Sequence, residues 1–277
     1  MAPGFSRRSF LAAAGLVGGM GALSSGRRDG ADPRIRFWLS PAAASYGDRL
    51  PIAIRWYLEH AFSPVYDEVD ISFGGVVDVP TEDGYDVFGG EAGWAERVTA
   101  GFLGTGDVRS VDGVNLLITD GAMSTAPTGA ALRGAATVGG ARYLMGLPSV
   151  SEMPAVTPFS YPLWVMQVVI HECGHALGLA HDHGAIEIDA DRVIVTPMVS
   201  SYAWASEELR ARQFDYEYSA CGDRYRSVGD RRRYLSLGFS SCATARLRCW
   251  NAGILPKNGL TGCCSACLGP RATWTRR

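Results

Sequence analysis

The chain has 277 residues, 47% of them hydrophobic, and a formal net charge of −2, which suits one globular domain of ordinary size with terminal segments. All 28 acidic residues lie between Asp29 and Asp230, so the segment from Arg231 onward carries only positive charges. That segment lacks a basic helical face with interleaved aromatic residues, and nucleic-acid binding is therefore not predicted. No apolar run is long enough to predict a stable membrane span in the mature form, and we expect a monomer.

The N-terminus has the pattern of an export signal. Arg7 and Arg8 precede an apolar run rich in Gly and Ala, from Phe10 to Leu23. Paired arginines before such a run are typical of a twin-arginine signal, and the alternative is a disordered basic tail. We therefore predict a signal segment over residues 1–30 and an exported protein, extracellular or at the cell surface.

Hydrophobic periodicity predicts an α+β domain over residues 31–250. The first predicted elements, in chain order, are a strand at 34–40, a helix at 46–62, strands at 69–73 and 114–119, and one or two strands at 137–147. Residues 76–113 show few clear periods, and residues 120–135 have the composition of a surface loop.

Two further helices are predicted towards the C-terminus. Pro162–Leu179 is predicted to be one of them and has proline in its first turn, a favoured position. Ser227–Trp250 carries apolar residues at helical spacing. Residues 251–277 are predicted to be a basic, cysteine-containing tail with little structure.

The helix at 162–179 carries a metal-ligand pattern, H-E-C-G-H-A-L-G-L-A-H-D, which begins at His171. His171 and His175 are four residues apart, so both imidazoles lie on one helix face and can bind one metal ion. Gly178 can take the left-handed conformation that ends a helix, and the turn would bring His181 back to the same metal. Three nitrogens leave one position of a tetrahedral zinc ion open, which is the catalytic pattern.

This stretch resembles the metzincin zinc endopeptidases, whose motif H-E-x-x-H-x-x-G-x-x-H it matches in every fixed position. Met198 lies where that family has its methionine turn, and Tyr202 matches the spacing of a tyrosine that borders the substrate pocket of matrix metalloproteinases. The run A-L-G-L at 176–179 is similar to the matrixins, whereas Asp182 is similar to the adamalysins. The resemblance is thus to a matrixin- or adamalysin-like protein of the prokaryotic exported type, with the branch left open.

The resemblance implies a metzincin-like fold. A twisted mixed sheet would lie above the zinc helix, and a C-terminal helix would follow the methionine turn. An antiparallel edge strand would bind extended substrate by main-chain pairing. The layout makes Ala135–Gly146 the candidate for this edge, and the alternative is an ordinary interior strand pair.

The function implied is a secreted zinc-dependent endopeptidase that hydrolyses polypeptides through a zinc-activated water. One Zn²⁺ would be held by His171, His175 and His181, with Glu172 as general base, Met198 under the metal and Tyr202 on the pocket wall. The alternative is a non-catalytic zinc-binding or adhesion protein on the same fold, which would have no need of Glu172. A peptidase restricted to free N-termini or to one partner protein also remains open.

The remaining candidates carry weaker patterns. Cys221 and Cys242 could form a disulfide after export, but sequence cannot assign the pairing. Cys173 is predicted to be a small buried apolar residue and His183 a surface residue. The run Cys263-Cys264-x-x-Cys267 lacks a second ligand pair, so a second metal is not predicted.

Matrix enzymes hold structural calcium in loops comparable to the Gly-rich loops of this chain. Those loops carry Asp78, Asp83, Asp86 and Asp112. No twelve-residue calcium-loop pattern is present, so Ca²⁺ has no support from the sequence.

Overall fold

The structure is a computed structural model, and it describes residues 33–89, 92–124, 128–205 and 217–251. The predicted signal at 1–30, the tail beyond residue 251 and its cysteines Cys263, Cys264 and Cys267 lie outside these ranges. Within these ranges, no helix combines the length and the apolar character needed to cross a membrane.

Strands and helices alternate through the first half of the chain and mix with 3₁₀ turns in the second. The strands are β1 Arg34–Leu39, β2 Asp70–Val76, β3 Gly113–Ile118, β4 Gly129–Leu132, β5 Ala135–Val138, β6 Val156–Pro158, β7 Ile186–Asp189, β8 Arg192–Val195 and β9 Arg232–Ser236. The helices are α1 Pro41–Ala44, α2 Arg49–Phe62, α3 Trp94–Phe102, α4 Ala141–Leu144, α5 Tyr161–Ala176 and α6 Ser241–Asn251. Single 3₁₀ turns lie at Val150–Glu152, His181–His183 and Ser200–Trp204.

The first sheet has the strand order β2-β1-β3-β5-β4. Strands β2, β1, β3 and β5 are parallel to one another, and β4 is antiparallel to β5 at the edge. This arrangement confirms the predicted mixed sheet. Its central strands are nearly continuous apolar runs, as expected where both faces of a parallel sheet are covered.

Alternate residues of β1 pack into two separate hydrophobic cores, one on each face of the first sheet. Phe37 packs with the apolar sides of α2 and α5 on one face of the sheet. Trp38 packs on the other face with Trp94 of α3, the two rings meeting edge to face at 5.1 Å between centroids. The Trp94 indole donates a hydrogen bond to the Asn115 carbonyl at 2.9 Å, which satisfies its one polar atom.

A second sheet, with the order β6-β9-β8-β7, lies beside α5 and was not predicted. Strands β8 and β9 are parallel, and the other two pairs are antiparallel. Gln167 of α5 is fully buried and donates to the carbonyls of Val195 at 3.0 Å and Ser236 at 2.7 Å. Helix α5 is therefore fixed to both sheets, because its C-terminal end also accepts a bond from the Gly134 amide at the β4–β5 turn.

Three expectations from the sequence need correction. Ala135–Gly146 is not the sheet edge: its first part is the interior strand β5, and α4 follows. The edge is β4, which lies within the predicted loop at 120–135. A loop is predicted there because the small Gly and Ala side chains of β4 give no hydrophobic signal. Ser227–Trp250 is not one helix, since it contains β9 and α6 begins only at Ser241.

Candidate active site

Helix α5 ends where the histidine pattern requires it to end. Gly178 has a φ of 90°, a left-handed conformation that glycine adopts without steric cost. Its amide donates to the His175 carbonyl, and the Leu179 amide reaches back to the Gly174 carbonyl, both at 2.9 Å. This pair of bonds is a Schellman motif, which satisfies the last carbonyls of the helix and reverses the chain.

The chain after the turn is a single 3₁₀ turn at His181–His183, and not the extended segment that would leave His183 on the surface. His183 is 7% exposed, so the prediction of a surface residue is wrong. Its Nδ1 lies 3.0 Å from the Ala180 amide nitrogen, inside the turn. The tight turn separates the two histidines: His181 faces the helix, and His183 faces the interior.

The structure brings the imidazoles of His171, His175 and His181 together. Their ring centroids are 4.5 to 5.1 Å apart, and one ligand atom from each lies within 4.8 Å of the others. His171 is buried, and the other two are partly buried.

Backbone contacts decide which ring nitrogens are free to bind a metal. His171 Nδ1 lies 2.7 Å from the Pro197 carbonyl, and His175 Nδ1 lies 2.8 Å from the Leu179 carbonyl. A carbonyl only accepts, so each Nδ1 carries the proton and each Nε2 keeps a lone pair. The two Nε2 atoms face each other at 3.0 Å, where two lone pairs cannot bond to each other. A shared cation satisfies both, and two nitrogens on one tetrahedral zinc lie about 3.3 Å apart, so these residues fit zinc.

Burial also keeps these rings neutral, as metal ligation requires. It lowers the pKa of His171 well below the ordinary value, with neighbouring His175 and His181 adding to the effect. Burial and His181 lower the pKa of His175 to about 4. Protons therefore compete weakly with a metal ion at neutral pH.

Glu172 is buried beside the histidines, and burial raises the pKa of its carboxyl to about 8. The edge strand leaves room for this carboxyl through Gly129. A Cβ at that position would lie 3.2 Å from Glu172 Oε1 and 2.6 Å from the Thr137 carbonyl oxygen. Any side chain there would crowd the carboxylate and displace the strand pair.

Met198 lies in a turn under the histidine helix and is fully buried. A Cβ on Gly174 would lie 2.5 Å from its Sδ, so the absence of a side chain at Gly174 lets the sulfur contact the helix backbone. Tyr202 follows on the next 3₁₀ turn, its ring centroid 4.7 Å from that of His181. Burial, aided by Glu172, raises the Tyr202 pKa to about 12, so its hydroxyl keeps its proton at neutral pH.

A cavity of about 500 Å³ opens beside His171 and Glu172. One wall is the edge strand at Gly129, and the facing wall is the segment 200–205. The floor follows α5 back through Val168 to an aromatic end. The cavity therefore connects the histidine cluster with the outer edge of β4, which pairs only with β5 among the described strands and where an extended chain could lie.

No protein-family model matches this sequence, and no curated protein does. Among solved structures, the chain is similar to archaemetzincin from Methanopyrus kandleri, with 18% identity and a TM-score of 0.40 over 78% of this chain and 95% of that one. Similarity this distant establishes neither a shared family nor a shared activity. The site is therefore judged by its own residues.

The turn that carries His181 is held by a disulfide-bonded loop. Cys221 is bonded to Cys242, the second residue of α6, which confirms that these two cysteines pair. The Tyr225 hydroxyl donates to the carbonyls of Gly184 at 2.7 Å and Asp182 at 3.2 Å. The Ala220 amide donates to the Asp182 carbonyl at 2.7 Å, and Ser240 Oγ donates to the His183 carbonyl. Three successive carbonyls after His181 are thus bound by the loop or by the residue before α6.

Several residues of the site had no signal in the sequence. Gly129 acts by having no side chain, and only the fold shows what it contacts. Ser200 lines the cavity with a positive φ of 43°, a conformation that serine seldom adopts. Arg233 and Tyr225 reach the site from segments far along the chain. Conversely, Cys173 is buried and unbonded, as predicted.

Proposed function

We propose that this protein is a zinc-dependent peptidase. The observation that carries the proposal is the pair of Nε2 atoms of His171 and His175, held 3.0 Å apart with both Nδ1 atoms committed to carbonyls. His181 completes the set, and buried Glu172 lies beside it at the wall of a cavity. A structural zinc site has four protein ligands, whereas the described residues offer three.

The chemistry follows from the environment of each side chain. Zinc, when bound, supplies a Lewis acid that polarises the scissile carbonyl and makes water more acidic. Glu172 is buried beside the clustered histidines at the cavity wall, where its carboxylate can take a proton from water and pass it to the leaving amine. The Tyr202 ring lies 4.7 Å from that of His181, and its hydroxyl keeps its proton at neutral pH because its pKa is raised, so it is the candidate donor to an oxygen that gains negative charge.

The finer features of the proposal are those implied by the metzincin resemblance. We propose an endopeptidase, since the cavity lies along an edge strand that pairs only with β5 among the described strands and so can bind the middle of a chain. The paired arginines Arg7 and Arg8 support export by the twin-arginine route. Tyr202 and the A-L-G-L run at 176–179 resemble the matrixins, whereas Asp182 resembles the adamalysins, so the proposal leaves the branch open.

Replacing Glu172 by Ala tests the mechanism. Zinc content, measured by elemental analysis, should stay at the wild-type level because Glu172 is not among the three clustered ligands. Hydrolysis of an unstructured protein should fall by about 100-fold or more, the usual effect of losing a general base. Mass spectrometry of the wild-type products identifies internal cleavage or trimming from one end.

The same experiment separates the alternatives. A wild-type protein that binds zinc and cleaves nothing would be the non-catalytic zinc-binding or adhesion protein. Products trimmed only from the N-terminus would show that the protein is an aminopeptidase and not an endopeptidase. Zinc loss in the Glu172 variant would mean that this residue holds the metal site together, and the proposed base would be wrong.

A further inference from the structure

The end of the cavity away from the histidines is rich in hydrogen-bond donors. Trp164 precedes His171 by seven residues on α5, which places it about 10 Å along the helix. Trp204 and Phe159 complete the walls there, their rings 5.9 Å apart and edge to face. The guanidinium of Arg233 lies over the Trp204 ring, 5.3 Å from its centroid.

Arg233 differs from the arginines beside it. It lies in β9, where its carbonyl accepts the Phe159 amide at 2.9 Å, so the backbone position is fixed. Arg232 points to the other side of the strand and pairs with Asp191 at 2.7 Å, and Arg231 donates to backbone carbonyls. Within the described ranges, no carboxylate pairs with Arg233, although it is exposed and lines the cavity.

Three more donors of the same cavity have no acceptor. Ser200 is 2% exposed, and its Oγ has no hydrogen-bond partner in the described part of the chain. The indole Nε1 atoms of Trp164 and Trp204 are likewise buried and without partners there. Among the described residues that line the cavity, Glu172 is the one carboxylate, and the proposed reaction uses it. The exposed guanidinium of Arg233 is the donor that an occupant of the cavity can reach, and its charge and planar fork fit a carboxylate.

We propose that this end of the cavity is a subsite for a carboxylate of the substrate, and that Arg233 is its specificity-determining residue. The inference rests on the proposed peptidase function and adds a substrate class to it: peptides with an acidic group near the cleaved bond. The carboxylate comes either from an aspartate or glutamate side chain or from the C-terminus of the peptide. Both have the same chemistry, and the test distinguishes them.

The test uses the full-length zinc-loaded protein and short peptides that carry Glu or Gln at one position at a time, each with a free or an amidated C-terminus. The wild type should cleave the preferred Glu peptide with a kcat/KM roughly fivefold above its Gln partner, as expected for one partly exposed ion pair. Arg233→Gln should bring this ratio to about one, and Arg233→Glu should reverse it. Arg231→Gln is the matched control and should leave the ratio unchanged.

Binding gives a second measurement that does not need turnover. In the Glu172→Ala background, fluorescence anisotropy of labelled peptides should show the same Glu-over-Gln preference, and Arg233→Gln should remove it. If the preference for Glu over Gln survives amidation of the C-terminus, the recognised carboxylate is on a side chain. If binding requires a free C-terminus, the recognised carboxylate is the C-terminal one. Either result supports the subsite.

The failures are distinguishable. If Glu and Gln peptides are cleaved equally by the wild type, or if Arg231→Gln changes the ratio as much as Arg233→Gln, the subsite is wrong and the peptidase stands. A preference for aromatic residues that is unchanged by Arg233→Gln would also show that the subsite is wrong while the peptidase stands. If no peptide is cleaved but binding still depends on Arg233, the peptidase is wrong and the carboxylate subsite stands.

Discussion

The ligand set is decided at the scale of single ring nitrogens. His171 and His175 each commit one nitrogen to a backbone carbonyl, and this leaves the other nitrogen directed at the cluster. His183 lies two residues beyond His181, but its ring is buried within its own turn. A histidine count cannot distinguish these roles, because all four histidines belong to the same short stretch of sequence.

His181→Ala should weaken zinc binding by more than about 100-fold and abolish hydrolysis, because two histidines and water make a poorer site. Competition with a chelating indicator measures the affinity. His60→Ala on α2 is the control and should change neither property. His183→Ala should instead lower the melting temperature, since it empties a buried position. If His183→Ala released zinc and His181→Ala did not, the ligand assignment would be reversed.

The clustering of His171, His175 and His181 could be predicted from sequence because it depends on local geometry. Four-residue spacing places His171 and His175 on one face in any helix, and Gly178 is needed wherever the chain must turn left-handed. The burial of His183 could not be predicted, since it comes from packing of the turn against α6 and its preceding residue Ser240. Arg233 likewise reaches the cavity only because β9 pairs with β6.

At the scale of elements, the histidine helix depends on close contact with the turn beneath it. Gly174 lies between the two ligands, and Met198 Sδ occupies the space where its side chain would be. Leu179 and Phe239 each have a carbon 3.3 Å from the same point, so the sulfur has little room to move away. The helix and the turn are thus one packed unit.

Gly174→Ala should therefore destabilise the protein by about 1–3 kcal/mol through overpacking, although alanine is the better helix former. Urea unfolding measures the loss, and zinc retention should fall with it because both flanking ligands shift. Gly89→Ala is a matched control, since a side chain there meets nothing within 4 Å. A stabilised Gly174→Ala protein would show that the sulfur moves away easily and that the contact is unimportant.

Elements with strong periodicity were predicted well, and elements built from small residues were not. Strand β1 and helix α2 carry regular apolar patterns, and both lie within about three residues of the expected bounds. Strand β4 reads Gly-Ala-Ala-Leu and α3 spans only nine residues, so neither pattern is long enough to recognise. The segment before α6 was misread because Leu235 and Leu237 fit a helical stripe, whereas their spacing of two also fits a strand.

At the scale of the whole molecule, segments that are distant in sequence bind the turn that carries His181. The 3₁₀ turn at 181–183 is bound by Tyr225 and Ala220 of one loop and by Ser240 before α6. The Cys221–Cys242 disulfide joins that loop to the helix. His171 and His175 need no such support, since they belong to a helix packed between two sheets.

The double substitution Cys221→Ala with Cys242→Ala should lower the free energy of unfolding by about 3 kcal/mol, as expected for a loop of this length. Zinc should also dissociate faster into a chelator, because the His181 turn loses its covalent support. Reduced wild-type protein should lose zinc at the same rate as the variant. Equal zinc retention by the oxidised wild type and the variant would show that the hydrogen bonds alone hold the turn.

Replacing Arg7 and Arg8 together by Lys should keep the protein inside the cell. The twin-arginine route reads the paired guanidinium groups, and Lys preserves the charge but not their geometry. Fractionation followed by immunoblotting locates the protein. Lys257→Arg, outside the signal, is the control. Unchanged export of the double variant would remove the twin-arginine assignment.

Because of the bond between Cys221 and Cys242, the support of His181 depends on oxidation, whereas that of His171 and His175 does not. Thiols stay reduced in most cytosols and are oxidised outside them. In a reduced chain, hydrogen bonds from Ala220, Tyr225 and Ser240 hold the turn that carries His181 without a covalent link. Under the proposed export, oxidation outside the cytosol would add that link and slow the loss of zinc, so the surroundings would set how firmly the protein holds its metal.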